Sequence, residues 1–179
     1  MDIIQEAKKL RHNYSFQYAI FRYVDRNLWA NKLSAQFSEF YIDNITDFNY
    51  GTCFSSCFYI SPIRAKFTSK EYNEYLEMHK VVYSILVEVS VIAPYACIRY
   101  SKRTLDSTRS SSYEEVSSSY TPFCKEHEEI GKRVLLYLEQ EGQTVLDESV
   151  LTQVVEGIKL ELRESNVQVY NCLFEDEYL

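Results

Sequence analysis

Glycine is scarce in this chain of 179 residues: Gly51, Gly131, Gly142 and Gly157 are the whole set, and no two lie within ten residues of each other. That spacing excludes the glycine-rich dinucleotide fingerprint, the phosphate-cradling loop and the Gly-x-Ser-x-Gly nucleophile elbow. Each needs backbone that turns tightly or approaches a ligand closely. Histidine is nearly as rare. His12, His79 and His127 stand apart, none beside a strained nucleophile turn, so a Ser/His or Cys/His hydrolase has little to build on. The five cysteines, Cys53, Cys57, Cys97, Cys124 and Cys172, are odd in number and lack the paired short spacings of a secreted scaffold, so reduced and mostly buried thiols are expected. No long apolar run is free of interruption: Val81 to Ile98 comes nearest, but Glu88 and Pro94 would be costly in a lipid-facing helix. The acidic start Met1-Asp2-Ile3-Ile4-Gln5-Glu6 does not suit a secretory signal, and a cytoplasmic protein without membrane contact is the expectation.

What is abundant is unevenly spread. The first 103 residues hold 13 Lys+Arg against 10 Asp+Glu, a balance of +3, while the last 76 hold 6 against 16, a balance of −10; together they make the net −7. Of the 27 Phe, Tyr and Trp residues, 20 precede Ser101. Charge distribution of this kind governs which partners approach and says little about fold.

Along the chain, Ile3, Ala7 and Leu10 share a helical face, with Lys8, Lys9 and Arg11 placed to suit the helix dipole. Residues 14 to 24 fit a strand slightly better than a helix, and 37 to 45 fit either. Asp47 to Gly51 reads as a turn before the apolar run Cys57 to Ile60. Thr68 and Glu71 have capping-box spacing for a helix that reaches about Lys80. From Val82 to Ile92, Ile85, Val87, Val89 and Val91 alternate with Ser84, Glu88 and Ser90, and Ala93-Pro94 should turn this strand into an antiparallel partner over Tyr95 to Lys102.

Residues 104 to 120 carry seven serines and only Leu105 and Val116 as aliphatics, which predicts an exposed Ser/Tyr-rich loop. Thr121, Pro122 and Gly142 bracket a helix with the stripe Phe123, His127, Ile130, Val134, Tyr137 and Leu138. A shorter helix is expected from about Asp147 to Glu156, then strands at Ile158 to Arg163 and Val167 to Phe174. The order argues one α+β domain over 1–179, a mixed or mainly antiparallel sheet with about four helices packed on it.

Three chemistries compete for the function. Cys124, His127 and Glu128 have a spacing compatible with zinc, but no second Cys/His cluster lies nearby and His127 falls on an apolar stripe, so a packed histidine is the expectation and no metal or cofactor is assigned. A metal-dependent hydrolase using Cys124 and His127 with a distant ligand is the alternative, and a structural subunit of a larger assembly is another. Tyr14, Phe16, Tyr18, Phe21 and Tyr23 with Arg11, Arg22 and Arg26 resemble stacking platforms among phosphate contacts, yet the net acidity opposes direct nucleic-acid binding. Acids beside tyrosines outside the expected core suit contact with a basic protein surface. The reading is therefore a non-enzymatic protein-binding module, most concretely an immunity or antitoxin-type protein that neutralises a basic toxin domain. Its partner-binding residues would be Tyr113, Glu114, Glu115, Tyr120, Glu175, Asp176, Glu177 and Tyr178.

Overall fold

A computed structural model describes residues 2–11, 24–49, 51–61, 64–106 and 113–176. Its elements are α1 (Ile3–Arg11), α2 (Leu28–Gln36), β1 (Tyr41–Asn44), β2 (Cys53–Ile60), α3 (Lys70–His79), β3 (Val81–Ser90), β4 (Tyr95–Asp106), β5 (Tyr113–Ser119), α4 (Lys125–Gln140), β6 (Thr144–Val145), α5 (Glu148–Leu151) and α6 (Val169–Leu173). Strands β1 to β5 lie side by side in chain order, each antiparallel to the next, and β6 adds two residues parallel to the start of β4. This is the expected α+β domain with a mixed, mostly antiparallel sheet, carrying six helices among the described residues. The expectations for residues 14 to 23, aromatic strand and stacking platforms alike, fall outside the described residues.

The period-2 pattern of β3 sorts the sheet into two faces. Ile85, Val87 and Val89 share the first face with Phe54, Phe58, Ala96, Ile98 and Tyr100, where Trp29 and Leu33 of α2 and Ile130, Val134 and Leu138 of α4 cover them. Helix α4 can come this close because Gly131 has no side chain: a β-carbon there would stand 2.1 Å from the Tyr100 hydroxyl. His127, expected on the packed stripe, is fully buried with its ring 5.0 Å from that of Tyr83 and 5.2 Å from that of Tyr100.

Among the described residues, the second face is covered by a core at each of its two ends. At one end Cys53 and Cys97 meet Ala7 of α1 and Val169, Cys172 and Leu173 of α6; at the other, Tyr59 and Val82 meet Tyr72 and Leu76 of α3. The membrane-like run Val81 to Ile98 is thus a hairpin, and no described helix is long and apolar enough to cross a membrane.

Several boundaries and two element types differ from expectation. Ser69, rather than Thr68, caps α3: its Oγ accepts from the Tyr72 N–H at 3.2 Å. Helix α4 begins after Cys124 instead of at Pro122, whereas Gly142 follows its end at φ +81, the left-handed conformation glycine tolerates. Helix α5 stops at Leu151, because Val155 N–H turns away to Val167 O at 2.7 Å.

Within the expected 104 to 120 loop, Thr104–Asp106 and Tyr113–Ser119 are instead strand. The twelve-residue β4 runs past the end of β3 and offers its backbone as a template, and ladder hydrogen bonds do not need apolar side chains. The expected strands at Ile158 to Arg163 and Val167 to Phe174 are absent. The first segment has turned its backbone groups inward, with Leu160 N–H on Arg163 O at 2.9 Å; in the second, Asn171 Oδ1 accepts from Gln168 N–H at 3.0 Å and opens α6.

Candidate functional site

Cross-strand neighbours point to the same side, so the register of the hairpin places Glu88 next to Cys97 and Leu86 next to Arg99 on the second face. Glu88 is fully buried and Arg99 is 6% exposed. Arg99 Nη2 stands 3.0 Å from Glu88 Oε2, and Arg99 Nε donates to the same oxygen at 3.1 Å. Helix α6 completes the group: the Tyr170 hydroxyl donates to Glu88 Oε1 at 2.7 Å and lies 3.1 Å from Arg99 Nη2. Burial opposes the guanidinium charge, but the adjacent Glu88 carboxylate carries the Arg99 pKa above its ordinary value. Burial and the same carboxylate push the Tyr170 hydroxyl far above the usual phenol range, so it stays protonated and donates. The third guanidinium nitrogen, Nη1, has no hydrogen-bond partner among the described residues.

Two cavities meet at Arg99. One, of about 600 Å³, opens between β5 and the α5–α6 region and is lined by Val116, Ser118, Tyr120, Glu148, Arg163 and Tyr170 among others. The other, of about 310 Å³, lies over the second face between the two end cores, where no described element covers the sheet. Ser118 and Arg99 line both. Three serines cross the floor in register, Ser84 paired with Ser101 and Ser101 with Ser118, and Tyr59, Phe67 and Tyr72 wall one end.

The sequence-derived contact residues are not brought together. Tyr113, Glu114 and Glu115 lie on β5, the outermost strand, where Glu115 is exposed. Tyr120 follows directly, half-buried at the larger cavity, with its pKa pushed up to about 12 chiefly by burial. Glu175 sits elsewhere: it bridges to Gly51 and accepts from Ser55 Oγ at 3.3 Å. Asp176 Oδ2 accepts from Leu162 N–H at 3.0 Å. Both acids thus serve contacts within the chain instead of standing unpaired. Glu177 and Tyr178 lie outside the described residues.

Sequence reasoning missed Arg99 and Tyr170, and took Glu88 as a charge interrupting an apolar run and a polar residue of a strand, without a partner. A signal was present, since Glu88 and Arg99 flank the Ala93-Pro94 break almost symmetrically and a hairpin there must bring them within reach. Nothing local marked Tyr170, which arrives from 82 residues beyond Glu88.

For metal chemistry, Cys124 and His127 gather no third His, Cys, Asp or Glu ligand among the described residues. Cys53, Glu88 and Glu175 do bring ligand atoms within 4.8 Å of one another. The Arg99 guanidinium 3.0 Å from Glu88 already neutralises that carboxylate and repels a cation, and burial pushes the Cys53 thiol well up. Burial likewise raises Cys57, Cys97 and Cys172, the last to about 11, so these thiols are not primed as nucleophiles. Compared with protein-family models, curated proteins and solved structures, the chain matches none.

Proposed function

We propose that this chain is a non-enzymatic protein-binding module, of the immunity or antitoxin type, that captures an extended basic segment of its partner along the outer edge of β5. The observation that carries the reading is the edge itself. Strand β5 pairs with β4 on one side and with no strand on the other among the described residues, and Glu115 to Ser118 are exposed. An unpaired strand offers a row of backbone N–H and C=O groups to an incoming strand, and the adjoining cavity at Tyr120 and Arg163 can receive a side chain. Glu114, Glu115 and Glu148 supply charge of the sign that attracts a basic segment, in keeping with the net −7.

The test uses a basic protein encoded beside this chain, purified as an inactive variant. Supporting results are a complex that weakens as salt rises, amide-exchange protection concentrated on Tyr113–Ser119, and loss of affinity on Glu114→Lys with Glu115→Lys. If the charge reversals left affinity and its salt dependence unchanged, the two acids would merely guard a sheet edge against self-association, and the reading would be wrong.

A further inference from the structure

We propose that the 310 Å³ cavity over the second face binds a small monocarboxylate with an aliphatic or aromatic body, its carboxylate on Arg99 Nη1 and its body against Tyr59, Phe67 and Tyr72. The inference is independent of the reading of β5.

Arg99 is built into the floor, not draped across the surface. Its Nε and Nη2 are engaged by Glu88 and Tyr170, which hold the guanidinium plane in one orientation. That leaves Nη1 without an acceptor among the described residues, on a side chain 7% exposed that lines the cavity. The small exposure of the side chain leaves this donor accessible, and a carboxylate oxygen is the acceptor that matches a charged N–H pair best. Ser84, Ser101 and Ser118, side by side on three strands, line the same cavity and add hydroxyl donors for the second oxygen.

At the far wall the chemistry changes. Tyr59 and Phe67 stack with centroids 5.9 Å apart and planes 8° apart, and Tyr72 meets both edge-on. Leu86, half-buried between Ser84 and Glu88 on the same face of β3, is the apolar floor between head and wall. A small pocket with an apolar wall and a few convergent polar groups suits a small amphipathic ligand. Charge narrows the choice further. Asp43 and Arg103 both line the cavity, the Arg103 guanidinium 4.5 Å over the Phe67 ring. Their charges offset each other as Glu88 offsets Arg99, which leaves no surplus of cations for a second negative charge on the ligand. That argues for a single carboxylate over a phosphate dianion or a dicarboxylate.

The probes are octanoate and 4-phenylbutyrate, each beside its primary amide, titrated into the full chain and followed by amide chemical shifts and calorimetry. Expected are saturable binding with shifts centred on Ser84, Leu86, Arg99 and Ser101, and amides weaker by at least about tenfold, the loss of one charge-assisted hydrogen bond. Leu86→Trp, which fills the cavity from a half-buried position, should abolish binding while the protein stays folded. Because Arg99→Met alone leaves Glu88 buried and unpaired, the head-group test is the pair Glu88→Gln with Arg99→Met, which should bind acid and amide alike. No saturable binding of either acid, equal affinity for acid and amide in the unaltered chain, or undiminished binding by Leu86→Trp would each overturn the proposal.

Discussion

Glu88 and Arg99, on opposite arms of the β3–β4 hairpin, form an ion pair at 3.0 Å with side chains 0% and 7% exposed. Two charges removed from water are costly unless each answers the other and the remaining hydrogen-bond sites are filled. Here Tyr170 fills one such site on Glu88, joining α6 to the sheet.

Removing one partner should therefore hurt more than removing both. Glu88→Leu is expected to destabilise by about 3–5 kcal/mol because it strands a buried guanidinium, whereas Glu88→Leu with Arg99→Met should recover a large part of that loss. Urea denaturation of the two variants decides it; equal losses would mean that the pair is better solvated than its burial indicates.

His127 gives the fold a pH dependence of known sign. Burial holds its pKa at about 4, below the ordinary 6.5. Between those values the unfolded chain binds a proton that the folded one does not, so stability falls as pH drops from about 6.5 to about 4. The loss is on the order of 2 kcal/mol, and it levels off below that range. His127→Phe should flatten this part of the profile in thermal melts taken across the window. A slope that survives the substitution would locate the titrating group elsewhere.

Gly131→Ala should destabilise although alanine is the better helix former. The β-carbon would meet the Tyr100 hydroxyl at 2.1 Å and Cζ at 2.9 Å, and Tyr100 is itself buried. Overpacking is expected to exceed the propensity gain of about 1 kcal/mol and to leave a net loss of about 1–2 kcal/mol. Adding Tyr100→Phe removes the closest atom and should restore part of the melting temperature.

Arg11 ties the two ends of the chain together. Its Nε donates to Cys172 O at 2.8 Å and its Nη2 to Asn171 O at 2.9 Å. Arg11→Ala should cost about 2 kcal/mol and speed amide exchange in α6 before the sheet loosens. Uniform acceleration throughout the protein would show that α1 and α6 open only with the whole fold.

Legibility along the chain followed periodicity. The two faces of β3 and the stripe of α4 were readable because each buries one side against a core and leaves the other less apolar, which is what a hydrophobic pattern records. Helix α6 was misread as strand for the opposite reason: Val169, Tyr170, Asn171, Cys172 and Leu173 are all buried, so no exposed side remains to set a period. Strand β5 escaped because three of its seven residues are serines, two are acids and Val116 is its one aliphatic residue, too few apolar groups to announce a strand that β4 templates through backbone hydrogen bonds. The expected contact site divided along the same line: Glu115 stands exposed on β5, while Glu175 and Asp176 are drawn into internal hydrogen bonds that only the folded chain makes.

Composition and local pattern were enough to rule out the glycine-dependent nucleotide sites, to give the acidic balance, and to put Glu88 on the polar side of its strand, because these follow from residue type and a two-residue period. That Glu88 is buried, that Arg99 answers it with one N–H edge still open to a cavity, and that Tyr170 closes the group were decided by packing alone. Those residues meet through a hairpin register and a helix docked from 82 residues away, and no local property of the chain encodes a contact at that distance.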